Sequence, residues 1–238
     1  MADIYLIRHG QASFGKENYD ELSGLGMKQA QRLGEVCQRW MQPAVLFEGS
    51  LQRHSQTRHG FCAGFNSAAQ QQEKPGLHAG IVEHAGLNEF DHENILAVAF
   101  PEYQDKNQLA KYLGSQENPR KAFHLLYQAS IDRWLKNETP AEYAESWPAF
   151  KNRVLEAFKL VREVAAAQGC VAVFTSGGPI GVILQHILQV SDEVTFALNE
   201  QLVNSSISHV LSSQKRLSTG YFNNYQHLHE LQGAITYR

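Results

Sequence analysis

Three short segments carry the residue types that can do chemistry: Arg8-His9-Gly10, Arg53 with Thr57 four residues on, and Ser176-Gly177-Gly178. Two guanidiniums flanking an imidazole make a pocket for a phosphate-sized dianion, because a guanidinium grips phosphate oxygens through paired hydrogen bonds. Backbone N–H groups at a helix start, of the kind Gly177-Gly178 would expose, add to such a pocket. A neutral imidazole nitrogen held in that field can attack phosphorus.

Each segment follows an apolar run that must position it. Ile4-Tyr5-Leu6-Ile7 reads as a strand buried on both faces that hands Arg8 and His9 to a loop. Val45-Leu46-Phe47 reads as a second strand ahead of a helix over 52–65. Val171-Ala172-Val173-Phe174 is a third, ahead of a helix that Pro179 opens. Ser23 stands before a helix in which Met27, Ala30, Leu33, Gly34, Cys37 and Trp40 recur at helical spacing until Pro43. Strands alternating with helices, with chemistry at the strands' carboxyl ends, predict a three-layer α/β/α fold on a mostly parallel sheet.

Elsewhere Gln70-Gln71-Gln72 with Pro75 and Gly76 reads as a loop, and Ile81-Val82 as strand residues. Between about 92 and 148 helical segments follow one another without strands, which predicts a helical insert within a single domain spanning 1–238. Helical spacing returns at Phe150, Val154, Phe158, Val161 and Ala165. Residues 206–211 alternate as a half-exposed strand, 217–221 and 234–237 read as weaker ones, and His227 with His229 alternate as on a strand.

Composition narrows the function. The 238 residues are 43% hydrophobic and 19% charged, which excludes a disordered chain. Lys and Arg number 21 against 24 Asp and Glu, so a net charge of −3 offers no global field for a nucleic acid, and any positive site is local. Cys37, Cys62 and Cys170 form an odd, widely spaced set that suggests neither disulfides nor a zinc knuckle but reduced thiols in a cytoplasmic protein. Only four apolar residues follow Met1-Ala2-Asp3, too few for a signal peptide, and the long apolar stretch 169–190 is interrupted by Thr175 to Pro179 and then carries Gln185 and His186. No membrane association is expected. Eleven histidines show no tight ligand spacing, so neither metal nor cofactor is expected.

The motifs together resemble the histidine phosphatase superfamily, also called phosphoglycerate-mutase-like. The resemblance runs through Leu6-Ile7-Arg8-His9-Gly10, Leu22-Ser23-Gly24-Leu25-Gly26 with Gln29-Ala30, Ser50-Leu51-Gln52-Arg53 with Gln56-Thr57, Leu87-Asn88-Glu89-Phe90, Val173 to Gly178, and Asn204-Ser205-Ser206-Ile207. It implies that His9 is the nucleophile that becomes a phosphohistidine, that Arg8, Arg53 and the 176–177 turn bind the phosphate, and that Glu89 protonates the leaving oxygen. Glu83 is the neighbouring alternative for that acid. The implied ligand is a small phosphorylated substrate or inorganic phosphate.

One departure bears on activity. The resemblance places a second histidine immediately before the Gly-Gly turn, and this chain has Ser176 there. A hydroxyl donates one hydrogen bond but brings no imidazole, and losing one preorganised donor costs about 2.7–4 kcal/mol of transition-state stabilisation. A slow enzyme or a phosphate-binding relative without turnover is the alternative, and a phosphoglycerate-type mutase a lesser one. His54, His84 and His92 are the histidines available to fill the gap. Gln11, Ala12 and Asn18 are smaller departures. A further reading makes Ser176 itself a nucleophile on a strand-to-helix elbow, with Asp192 and His209 following in a permissible order, although Phe174 stands where the elbow needs a small residue. Arg120, Lys121, Arg133 and Lys136 in the insert stand as contacts to a second anionic group, or as a solvated helix face.

Overall fold

Strand β1 (Ala2–Arg8) is the hub of a six-stranded sheet whose other strands are β2 (Val45–Glu48), β3 (Gly80–Glu83), β4 (Cys170–Thr175), β5 (Ile207–Ser212) and β6 (Leu217–Asn224). The structure, a computed structural model, describes residues 1–13 and 20–237, so Asn18 lies outside the described residues. The strand order is β3-β2-β4-β1-β5-β6. Pairing is parallel from β3 through β2 and β4 to β1, then antiparallel to β5 and β6. This is an α/β fold on a mixed sheet. The central place of β1 explains its unbroken apolar run, since Ile4, Leu6 and Ile7 are all fully buried.

Helices fill the connections: α1 (Gly24–Cys37), α2 (Gln52–Gln71), α3 (His92–Ala99), α4 (Lys106–Gly114), α5 (Pro119–Lys136), α6 (Trp147–Gln168), α7 (Gly177–Leu188) and α8 (Asp192–Gln201). On one face of the sheet Tyr5, Ile7, Ala172 and Phe174 meet Leu33 and Cys37 of α1 and Phe61 and Phe65 of α2 in a single core. Helix α7 lies against β1 and β6, with α8 packed on it. The chain divides into two compact units, residues 1–89 with 153–238, and residues 90–152. Within the second unit the fully buried Trp134 sits among Phe90, Trp147 and Phe150, at ring-centroid distances of 5.1, 5.2 and 5.9 Å. Its indole N–H donates to the Glu145 carbonyl at 2.9 Å, so burial leaves no orphaned donor.

Five local expectations are corrected. Helix α2 takes in Gln70 and Gln71, because glutamine is a good helix former and the breakers are Pro75 and Gly76. Helix α7 starts at Gly177 with Pro179 in its third position, where the backbone N–H has no intrahelical partner to lose. Residues 234–237 form no strand; the Ala234 and Thr236 carbonyls accept instead from Gln29 Nε2 and Asn204 N. His227 lies in a 3-10 turn, Gln226–Leu228, and β5 is buried along most of its length instead of alternating.

Candidate active site

At the end of β1, His9 is held by backbone on both sides. Its N–H donates to the Thr175 carbonyl at 2.9 Å, and its carbonyl accepts from Ser205 N at 3.1 Å. Ser205 adopts φ +66°, a left-handed conformation that costs a non-glycine residue on the order of 1 kcal/mol or more. Its hydroxyl, donating to the Gln29 carbonyl at 3.2 Å, helps keep it there. The ring of His9 is buried, with Nδ1 2.7 Å from the Gly10 carbonyl. A carbonyl only accepts, so Nδ1 bears the proton and Nε2 keeps its lone pair. Burial, then the positive charge of Arg53 and Arg8, hold the His9 pKa well below 6.5. The imidazole is therefore neutral, with its lone pair on Nε2.

The loop after His9 is clamped from two helices. Gly10 N–H donates to Thr57 Oγ1 at 3.0 Å, and that hydroxyl donates to the Arg53 carbonyl at 2.6 Å, which ties the loop after His9 to the first turns of α2. From the other side α1 comes so close that a Cβ on Gly10 would stand 2.5 Å from the Gly26 carbonyl oxygen, so only glycine fits. Gln11 has a structural part: its side-chain oxygen accepts from Ser23 Oγ and its N–H donates to Gln29 Oε1, both at 2.8 Å. Arg53 Nη1 meets Asp20 Oδ1 at 2.7 Å, while Asp20 Oδ2 accepts from Gln52 N at 2.7 Å. Arg8 spends two of its guanidinium N–H groups on the carbonyls of Leu202 and Tyr237.

Ser176 stands at the N-cap position of α7 without capping it through its side chain, and is fully buried, with its Oγ 2.7 Å from His54 Nε2. His54 is also fully buried, and its ring centroid lies 5.9 Å from that of His9. Burial and Arg53 hold its pKa well below 6.5, opposed in part by the Gly49 backbone. Sequence reasoning named His54 only as one of three substitutes. The signal that singles it out is the buried stripe His54, Arg58, Phe61 and Phe65, spaced as one face of a helix, which turns residue 54 inward. His84 is engaged elsewhere, its Nδ1 accepting from Gly86 N at 2.9 Å, and His92 starts α3 in the second unit.

Glu89 offers both carboxylate oxygens to Gly178 N, at 3.1 and 3.2 Å, and so occupies the anion-favouring N-terminus of α7. Its segment is fixed by Thr175 Oγ1 donating to the Leu87 carbonyl at 2.5 Å and by Arg153 reaching the carbonyls of Ala85, Gly86 and Asn88. Glu83 is exposed at the end of β3. Gly177 packs closely on Asn199, whose side chain would have to move to admit a Cβ, as that atom would lie 2.0 Å from Oδ1.

The elbow arrangement is not assembled. His209 pairs with Asp3 at 2.8 Å and stacks on Tyr5, while Asp192 Oδ1 accepts from Gln185 Nε2 at 2.6 Å. On α5, Arg120, Lys121 and Lys136 are exposed, and Arg133 is engaged by Glu142 at 2.6 Å and by the Val98 carbonyl at 2.8 Å. Among the described residues no group of three or more His, Cys, Asp or Glu converges as metal ligands, and no helix is long and apolar enough to cross a membrane.

A family model of the histidine phosphatase superfamily (branch 1) matches residues 4–95 and 109–224. No curated protein matches the sequence. Among solved structures, phosphoglycerate mutase from Bacillus anthracis str. Sterne is similar at TM-score 0.61 and 16% identity, over 95% of each chain. Phosphoserine phosphatase from Entamoeba histolytica, in complex with 3-phosphoglyceric acid, is similar at TM-score 0.62 and 16% identity, over 96% of this chain and all of the other. The alpha-ribazole phosphatase from Shigella flexneri is similar at TM-score 0.61 and 16% identity, over 94% of this chain and 96% of the other.

Proposed function

Because this chain belongs to the histidine phosphatase superfamily, we propose that it is a cytoplasmic, metal-independent phosphatase that hydrolyses small phosphomonoesters through a phosphohistidine on His9. The observation that carries this reading is the His9 ring itself: neutral, Nδ1 bonded to the Gly10 carbonyl, and lying in the field of Arg53 and Arg8. His9 Nε2 attacks phosphorus as the ester P–O bond breaks in line, and Arg53 and Arg8 stabilise charge on the equatorial oxygens. Glu89, at the head of α7, delivers a proton to the departing oxygen. A water then attacks the phosphohistidine, its proton returning to Glu89 and the N–P bond breaking to release phosphate. Fixed guanidinium charge supplies what a metal would otherwise supply.

Acid–base stability of a trapped intermediate tests this. Protein quenched with a labelled aryl phosphate should carry label that survives alkali and is lost in acid, and His9→Ala should carry none. Label that survives acid and is lost in alkali would instead indicate Ser176, and an unlabelled, inactive wild-type protein would leave only the phosphate-binding reading. Transfer of label to an alcohol acceptor in preference to water would favour the mutase.

A further inference from the structure

We propose that His54 is a second imidazole of the phosphate pocket, donating an N–H to an oxygen of the transferred phosphoryl group in concert with the Ser176 hydroxyl. The proposal rests on the phosphate-pocket reading above and adds to it a residue for which the reaction as described has no use. Full burial of an imidazole is unfavourable unless its polar atoms are used, and in His54, among the described residues, Nε2 meets only Ser176 Oγ while Nδ1 has no hydrogen-bond partner. The ring stands one residue from Arg53 in the first turn of α2, 5.9 Å from the His9 ring, with Nε2 on Ser176 Oγ at 2.7 Å. Room for it is made by Gly49, where a Cβ would stand only 2.3 Å from His54 Nδ1.

The same surroundings decide what His54 does. Taking up a proton would place a cation in a buried site beside Arg53, so the ring is a poor base for activating Ser176. A neutral ring is still a good hydrogen-bond donor, and one that adds no proton to compete for the His9 lone pair. This needs the proton on Nε2: Ser176 Oγ, 2.7 Å away, then shares that N–H with the phosphate oxygen and donates its own proton to the phosphate. The two positions are coupled sterically as well. A histidine at 176 would have to put its ring where His54 Nε2 now lies, so a small residue at 176 and an imidazole at 54 require each other.

The experiment is an exchange of the two side chains, read by calorimetric binding of inorganic phosphate and by aryl phosphate turnover, with circular dichroism melts to confirm folding. His54→Ala should bind phosphate about tenfold more weakly or worse, as expected for the loss of a hydrogen bond to a charged group. Ser176→His alone should also be impaired, by crowding. The double variant His54→Ala with Ser176→His should recover to within a few-fold of wild type. Where His54→Ala fails to fold, His54→Gln, which keeps an N–H donor, should bind phosphate better than His54→Leu, which does not. Phosphate affinity of His54→Ala within about twofold of wild type, a double variant no better than either single one, or equal affinities for the Gln and Leu variants would overturn the proposal. Wild-type protein that binds no phosphate would overturn it together with the pocket. An unlabelled His9 beside intact phosphate binding and a successful exchange would defeat the phosphatase reading alone.

Discussion

Asp20 Oδ1 lies 2.7 Å from Arg53 Nη1, so the guanidinium assigned to phosphate already holds a carboxylate. That carboxylate is also acceptor to the first N–H of α2, a second group that would favour a bound anion. Asp20 therefore repels an incoming dianion while it orients the arginine. Asp20→Asn keeps an acceptor for Gln52 N and removes the charge, and should tighten inorganic phosphate binding by about tenfold at low salt, the gain shrinking as salt screens it. Calorimetric titration at two ionic strengths checks this, and weaker binding would show that orientation by Asp20 matters more than its charge.

The Thr57 hydroxyl joins Gly10 N to the Arg53 carbonyl inside the protein. Thr57→Val preserves shape but strands the Gly10 N–H, which should cost about 1–3 kcal/mol in urea denaturation. Because the Gly10 carbonyl also accepts the hydrogen bond from His9 Nδ1–H, turnover should fall more than the phosphate affinity does. Unchanged kcat would mean that the loop is held without this bond.

Helices α1 and α2 meet through glycines. A Cβ on Gly34 would stand 2.0 Å from the Phe61 carbonyl oxygen, and one on Gly64 would stand 1.9 Å from that of Gln31. Gly64→Ala raises helix propensity by about 1 kcal/mol yet forces backbone apart, so net destabilisation of about 2 kcal/mol or more is expected. A more stable variant in denaturant titration would contradict the close packing. Since α2 carries Arg53 and His54, lower turnover should accompany the loss.

Three buried histidines set the acid response. The pKa values of His9 and His54 lie well below 6.5, and burial lowers that of His227 to about 3. Below pH 6.5 the unfolded chain takes up protons that the folded chain refuses, so this stability is full above 6.5 and is lost as pH falls toward each folded value. Each histidine contributes a slope of about 1.4 kcal/mol per pH unit over its window, that of His227 reaching from 6.5 to about 3. Urea titrations at pH 7 and pH 5.5 should show the loss, and His227→Gln should flatten it. The rate has a different limit: with substrate ionisation accounted for, kcat/KM should show no acid limb at 6.5, and a limb there would mean that His9 titrates as if exposed.

Much of the sheet was legible because β1, β2 and β4 are short apolar runs ending in polar loops, a pattern that parallel strands share. Helix α8 was not, since its few apolar side chains leave most of the helix to solvent and only Thr195 is buried. The stop of α2 was misplaced because a glutamine tract looks like a loop in composition yet has good helical propensity. The contact between His54 and Ser176 was the hardest to see. It joins residues 122 positions apart, and neither side chain announces the other in a single sequence.

The central place of β1 has a consequence for biosynthesis. Its parallel partner begins at Cys170 and its antiparallel partner at Ile207, so β1 is made more than 160 residues before either strand that pairs with it. At ~5–20 residues per second, the run Ile4 to Ile7 leaves the ribosome roughly ten to thirty seconds before β4 exists. For that interval an apolar segment with two unsatisfied edges must be sheltered or stay dispersed, and His9 next to it lacks the strands that hold it. The loop around His9 thus cannot be assembled until β4 and β5 have been made, and the yield of folded protein should depend more on chaperone supply and translation speed than the stability of the finished fold would suggest.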